Sequence, residues 1–178
     1  MVGGPIRYAI LIGFGARMST SPSGRITRVH IDLSRFERHH PDTVRAALSE
    51  IRAGQRTAAW VPCLLPRIGD DECGIHSIEE AEAYLLEGVL FRDYGAIVEA
   101  IRERLIGEWS PVSDVLGPPA DQEFIASLTL VRGISERLTG NGFAQMVDTC
   151  NELLDLVAEQ GYEPCPLTLA FLANSDHP

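Results

Sequence analysis

Residues 143–161 read FAQMVDTCNELLDLVAEQG. Phe143, Met146, Val147, Cys150, Leu153, Leu154 and Val157 recur at offsets of three and four, which puts them on one face of an α-helix. Gly161 closes the stripe, in the place where a helix end favours glycine. A helix apolar along one side needs other elements to cover it, so the flanking sequence is read for them.

Upstream, Leu90, Tyr94, Ile97, Val98, Ile101 and Leu105 keep the same spacing and stop at Gly107. Ser77-Ile78-Glu79-Glu80 reads as a capping box, in which the Ser77 hydroxyl and the Glu80 carboxylate satisfy free amides, with a helix to about Glu87 and a stop at Gly88. Asp42, after Pro41, caps a helix through Val44, Ala47, Leu48 and Ile51 that Gly54 ends. Pro118-Pro119 punctuates the chain, and Asp121 opens a segment carrying Phe124, Leu128, Val131 and Leu138. Asn141-Gly142 reads as a turn. A short last helix spans about Leu167 to Leu172. The expected fold is mostly α: a compact single-domain bundle of five to seven helices.

The N-terminus reads differently. Residues 6–14 are apolar with β-branched members. Residues 26–33 alternate, with Val29, Ile31 and Leu33 apolar and Arg28, His30 and Asp32 polar, which is the period of a half-buried strand. A polar loop with Pro22 and Gly24 joins the two runs, so a β-hairpin-like extension is expected. A lone hairpin needs something to pack on, either the helical body or a second copy, and a homodimer through this extension is one expectation. Residues 1–28 hold four arginines and no acid. The division is therefore a basic extension, 1–28, and a helical domain, 29–178, that carries all the acidic charge. Met18 offers an alternative start.

Composition excludes several classes of function. A net charge of −10 over 178 residues argues against nucleic acid as the main partner. No apolar run reaches the ~18 residues of a membrane span. All 15 basic residues are arginine. With no lysine there is no internal amine for a Schiff base and no P-loop lysine. Gly13-Phe14-Gly15 lacks the third glycine of a dinucleotide fingerprint. No cofactor is therefore expected. The four cysteines, Cys63, Cys73, Cys150 and Cys165, form no CxxC pair, and a reduced cytoplasm is the expected location. Tyr8 to Ala16 follows Arg7 much as in a secretory leader but has no small-x-small cleavage site.

The run Ala47-Leu48-Ser49-Glu50-Ile51-Arg52-Ala53-Gly54, with Trp60 and Pro66 after it, resembles the opening block of the small all-helical bacterial family known as domain of unknown function 1810. A second block follows at Gly74-Ile75-His76-Ser77-Ile78-Glu79-Glu80-Ala81-Glu82-Ala83-Tyr84-Leu85. A third is Gly117-Pro118-Pro119-Ala120-Asp121-Gln122-Glu123-Phe124-Ile125-Ala126-Ser127-Leu128-Thr129-Leu130, and the close is Leu167-Thr168-Leu169. The blocks stand in the family's order over about residues 33–172. The resemblance implies a helical fold and brings no established activity with it. Polar positions depart from the pattern. Ala59 replaces a histidine, Pro62 a tryptophan, Arg67 a glutamine, Glu87-Gly88 a His-Pro pair and Glu123 a lysine. The loop before the second block is shortened to Ile68-Gly69-Asp70-Asp71-Glu72. The scaffold is kept while its polar lining changes.

The densest polar cluster is Asp70, Asp71, Glu72, Cys73 and His76, in the loop before a helix. A helix N-terminus there would lower a thiol's pKa, making Cys73 and His76 a nucleophile–base pair. The plainer reading is a solvated acidic loop with a small apolar cysteine. Cys63, Cys73 and His76 with His39 or His40 have zinc-ligand types but no standard spacing, and no metal is expected. Trp60, Arg67, Tyr84 and Trp109 could line a pocket, with arginine gripping a carboxylate, although the same residues serve equally as core and rim. Ser127 is a further candidate for substrate contact, and Thr129 matches beside it, but mid-helix hydroxyls often bond back to the preceding turn. Glu79, Glu80 and Glu82 read as a solvated face, and Glu99 and Glu103 as surface partners of Arg102 and Arg104.

Two functions stay open. One is a cofactor-independent enzyme acting on a small molecule by acid–base chemistry (a cyclase, isomerase or hydrolase), with Asp70, Glu72, Cys73 and His76 catalytic and Trp60, Arg67, Tyr84 and Ser127 holding substrate. The other is a non-catalytic interaction or self-assembly module. A nucleotide N-glycosidase-like hydrolase is a weaker third, which the acids permit and no spacing selects.

Overall fold

The structure, a computed structural model, describes residues 31–37, 40–54 and 60–174. Among them nine helices follow one another. Six have nine residues or more: α2 (His40–Ala53), α4 (Ile78–Leu86), α5 (Gly88–Gly107), α7 (Ala120–Ser135), α8 (Asn141–Ala158) and α9 (Pro166–Asn174). Three are single turns: α1 (Ser34–Glu37), α3 (Val61–Leu64) and α6 (Val112–Val115). The count exceeds the five to seven expected because four residues are too few to show a helical period. The fold is mostly helical, and the only β pairing among the described residues is an isolated parallel bridge between Ile68 and Ile75.

The expected β-hairpin falls on residues outside those described, apart from its last three. Ile31, Asp32 and Leu33 are not a strand. The Asp32 carboxylate instead accepts the Ser34 amide at 2.9 Å, so this alternating tripeptide leads into α1.

Helix α7 is the centre. Of its sixteen residues, Ala120, Phe124, Ile125, Leu128, Val131 and Ile134 are buried on what would be one face, yet Asp121, Ser127, Thr129, Gly133 and Ser135 are buried as well. A helix enclosed all round has neighbours on every side, and α3, α4, α6, α8 and α9 all pack on it. Its small residues allow close approach. A Cβ on Gly133 would stand 2.5 Å from Leu172 Cδ1, so α9 lies directly on the glycine. The Thr129 hydroxyl bonds back to Ile125 O at 2.7 Å and takes the Cys165 amide at 3.2 Å, which fixes the lead into α9.

Helix α8 presents the predicted stripe, with Met146, Cys150, Leu153, Leu154 and Val157 buried. It ends as foreseen at Gly161, where φ is +89°. Tyr162 N donates to Val157 O at 3.1 Å and Gly161 N to Ala158 O at 3.0 Å, the paired bonds of a Schellman end. Asn141-Gly142 is not a turn but the first residues of α8; the bend is made one residue earlier, at Gly140. Helix α5 runs to Gly107 as its spacing requires, but Gly88 begins it rather than only ending α4. Arg102 of α5 holds Glu152 of α8 through two bonds of 2.9 Å, so this arginine reaches another helix as well as Glu99.

Burial has a consequence for pH. Cys150 is fully buried in α8, and burial pushes its thiol up from an ordinary 9.0 to about 12, against the opposing pull of Arg132 and of a Tyr94 hydrogen bond. Burial also pushes Cys73 up to about 12, helped by its neighbour Cys63 and by the charges of Glu72 and Asp71. From about pH 9 upward the unfolded chain sheds thiol protons that the folded chain keeps. The stability these thiols contribute is complete below pH 9 and is lost as pH rises toward 12. Denaturant midpoints are expected to fall steadily between pH 8 and about pH 11, and a flat profile would contradict the burial of both thiols.

Candidate functional site

The polar loop begins where α3 ends. Trp60, just before α3, is buried and donates its indole N–H to the Glu50 carboxylate at 2.8 Å, which ties α3 to α2. After Leu65 and Pro66 the chain forms a closed clasp. Ile75 N donates to Arg67 O at 2.8 Å, and Gly74 N to Asp71 O at 3.0 Å. Arg67 bridges the clasp to Asp71 at 2.6 Å and reaches Glu123 of α7 at 3.6 Å. Partial burial alone would raise the Asp71 carboxyl, but the hydrogen bond and charge of Arg67, with the Cys73 amide, outweigh it and hold Asp71 below its ordinary value.

Beyond the clasp, three charged or titratable side chains meet. Arg35, from α1, donates to Gly74 O at 2.8 Å and forms an ion pair with Glu80 of α4. Its Nη2 also lies 3.3 Å from His76 Nδ1. Glu80 Oε2 accepts the His76 amide at 2.8 Å and stands 3.3 Å from the same Nδ1. The Ser77 hydroxyl takes the Glu80 amide at 3.1 Å as the capping box requires. The reciprocal bond falls on His76 N, one residue before the cap. Glu80 is thus only 8% exposed, not part of a solvated face, because Arg35 balances its charge. Arg35 had no signal in its own surroundings. It sits 39 residues before Gly74 in sequence and next to the buried Phe36, whose ring it covers at 4.4 Å.

The geometry gives His76 a choice of tautomer. If Arg35 donates to Nδ1, the proton of neutral imidazole lies on Nε2. If Nδ1–H instead faces Glu80, Nε2 carries the lone pair. Half of the His76 side chain is exposed, so the arrangement can give or take a proton at the surface.

The other sequence candidates are spread out. Asp70 and Glu72 lie exposed at the tip of the clasp. Cys73 is buried, and its thiol is raised, opposite to the lowering expected at a helix start. Desolvation and adjacent acids outweigh the helix end, so Cys73 stays a thiol at neutral pH and is a poor nucleophile. Tyr84 is buried against Phe36, edge-on with centroids 5.1 Å apart, and burial, with the nearby Asp93, raises its hydroxyl. Ser127 is fully buried in α7. Trp60, Tyr84 and Ser127 are therefore core residues and share no open pocket with Arg67. Trp109 is 86% exposed with φ of +54° and does not join them. A narrow apolar crevice lined by Pro66, Ala81, Leu85, Leu130, Val131 and Ile134 leaves no room for even a water-sized molecule. None of the candidates lines it. His39 lies outside the described residues, and among those described no three His, Cys, Asp or Glu side chains converge to hold a metal. No described helix is long and apolar enough to cross a membrane.

The family described as "Protein of unknown function (DUF1810)" matches residues 30–152. Among solved structures, the chain is similar to the conserved hypothetical protein Rv1873 from Mycobacterium tuberculosis, at 26% identity and a TM-score of 0.55, over 80% of this chain and 96% of that one. No curated protein matches.

Proposed function

Because the chain belongs to the DUF1810 family, whose description names no activity, we propose from the site itself that the face from Arg67 to Glu80 performs cofactor-independent acid–base chemistry on a small molecule. The observation that carries this reading is the half-exposed His76, whose Nδ1 lies 3.3 Å from both Glu80 and Arg35. A catalytic imidazole is commonly held by a carboxylate at one nitrogen and works through the other. Asp70 and Glu72 supply exposed carboxylates on the same loop. Arg67 supplies a guanidinium that could trade Asp71 for a substrate carboxylate. The site is open, so it suits a polar substrate held by charge rather than one enclosed by apolar walls.

The test uses the full chain and a soluble extract of small metabolites, followed by mass spectrometry. The wild type is expected to deplete a polar, carboxylate-bearing compound. H76N, whose amide can keep a polar contact near the Nδ1 position but cannot shuttle a proton, is expected to lower that rate by about two to four orders of magnitude. Equal rates for the two proteins would remove His76 from the reaction.

A second reading, an interaction module without catalysis, draws support from Trp109 at 86% and Leu167 at 78% exposed. Extracts left unchanged by the wild type would favour it.

A further inference from the structure

The Sγ atoms of Cys63, in α3, and Cys73, in the clasp, lie 2.8 Å apart, with both residues reduced. Among the described residues, no third metal-ligating side chain joins these two thiols. Their surroundings hold the sulfurs together: Asp71 pins the Cys73 amide at 3.1 Å, and the Ile75–Arg67 bond of 2.8 Å closes the loop behind it. Cys63 is partly exposed and Cys73 is buried. Cys150 is buried in α8 and Cys165 precedes α9.

We propose that Cys63 and Cys73 are a modification site, forming a reversible intrachain disulfide by exchange with a low-molecular-weight disulfide. The inference does not depend on the acid–base reading of His76. Cys63, the more exposed thiol, loses its proton and attacks one sulfur of the small disulfide. That S–S bond breaks and one small thiol leaves with a proton. Cys73 is a poor nucleophile toward a molecule from solution, but it is held 2.8 Å from Cys63 Sγ; this proximity lets it give up its proton and attack that sulfur, the mixed disulfide breaks, and the second small thiol leaves with the Cys73 proton. One protein dithiol and one small disulfide become one protein disulfide and two small thiols. Such pairs in reducing compartments are generally transient and redox-sensing. The new bond would close a ring around Arg67, Asp70, Asp71 and Glu72, locking the clasp against α3.

The test equilibrates the reduced full chain in glutathione buffers of graded redox ratio, quenches with acid, alkylates, and maps tryptic peptides. Cleavage after Arg56, Arg67 and Arg92 places the two cysteines in separate peptides, 57–67 and 68–92. The expected product is this pair linked, two hydrogens lighter than the reduced peptides, with Cys150 and Cys165 still alkylated. In C73S, Cys63 should instead accumulate as the glutathione mixed disulfide, while in C63S Cys73 should stay a thiol. Cys63 and Cys73 carrying separate glutathiones in the wild type, or linked to Cys150, Cys165 or another chain, would overturn the proposal. The serine variants bear on the order of attack, and the wild-type map decides the linkage without them.

Discussion

Gly74→Ala is expected to destabilise the protein by about 3 kcal/mol, the upper part of the range for forcing an atom into a filled space. A Cβ on Gly74 would stand 2.0 Å from the Gly69 carbonyl oxygen and 2.5 Å from its carbon. Both are backbone atoms, so no rotamer change relieves the contact. The two sides of the clasp would have to part, which breaks the Ile75–Arg67 bond of 2.8 Å and shifts Ile75, a fully buried residue. The backbone torsion at Gly74 is not the cause, since its φ lies outside the left-handed region. Gly69→Ala provides the contrast. Its Cβ would meet Arg67 Nη1 at 2.8 Å and Asp71 Oδ2 at 3.0 Å, the ends of two side chains that can move, and its cost is expected to be about 1 kcal/mol. Urea unfolding of both variants measures the difference. A Gly74→Ala variant no less stable than Gly69→Ala would mean that the clasp is looser than these distances.

What the sequence discloses and what it hides differ by range of interaction. Helices α5 and α8 were legible because a period of 3.6 residues repeats over several turns, and Gly107 and Gly161 stop them where the spacing stops. The Ser77 cap was legible because donor and acceptor lie three residues apart. The single turns α1, α3 and α6 offer no repeat to detect. Arg35 and Glu80 were missed for a related reason. Their partnership joins α1 to α4 across 45 residues, and a glutamate in a run of three acids reads as surface until a distant arginine accounts for it. Trp60, Tyr84 and Ser127, which the structure buries, show the converse ambiguity. The residue types that line a pocket also fill a core, so local spacing could not separate the two roles. The resemblance to domain of unknown function 1810 supplied the order of blocks and hence the family, but it left the chemistry to the polar residues that depart from it.

Glu80, which lies in a block that keeps the family pattern, is the residue on which both stability and the proposed chemistry turn. Glu80→Ala is expected to cost about 3 kcal/mol, the lower end for breaking a buried ion pair, because its side chain is 10% exposed and that of Arg35 18%. The loss has two origins. Arg35 is left partly buried with its charge unbalanced, and the His76 amide loses its acceptor at 2.8 Å. Arg35→Ala alone should cost a similar amount, by stranding the carboxylate and removing the donor to Gly74 O. The double variant should cost clearly less than the sum, since neither charge is then left without its partner. A double-mutant cycle by urea unfolding reads this coupling, and strictly additive costs would show that the pair is not a unit. Glu80→Gln separates stability from chemistry. The amide oxygen can still accept the His76 N–H and preserve the cap, while the carboxylate charge that sets the imidazole tautomer is gone. If His76 works as proposed, Glu80→Gln should retain most of the fold, lower turnover and change its pH profile. Turnover that simply tracks the folded fraction would make Glu80 a structural residue and leave His76 to act, if at all, without it.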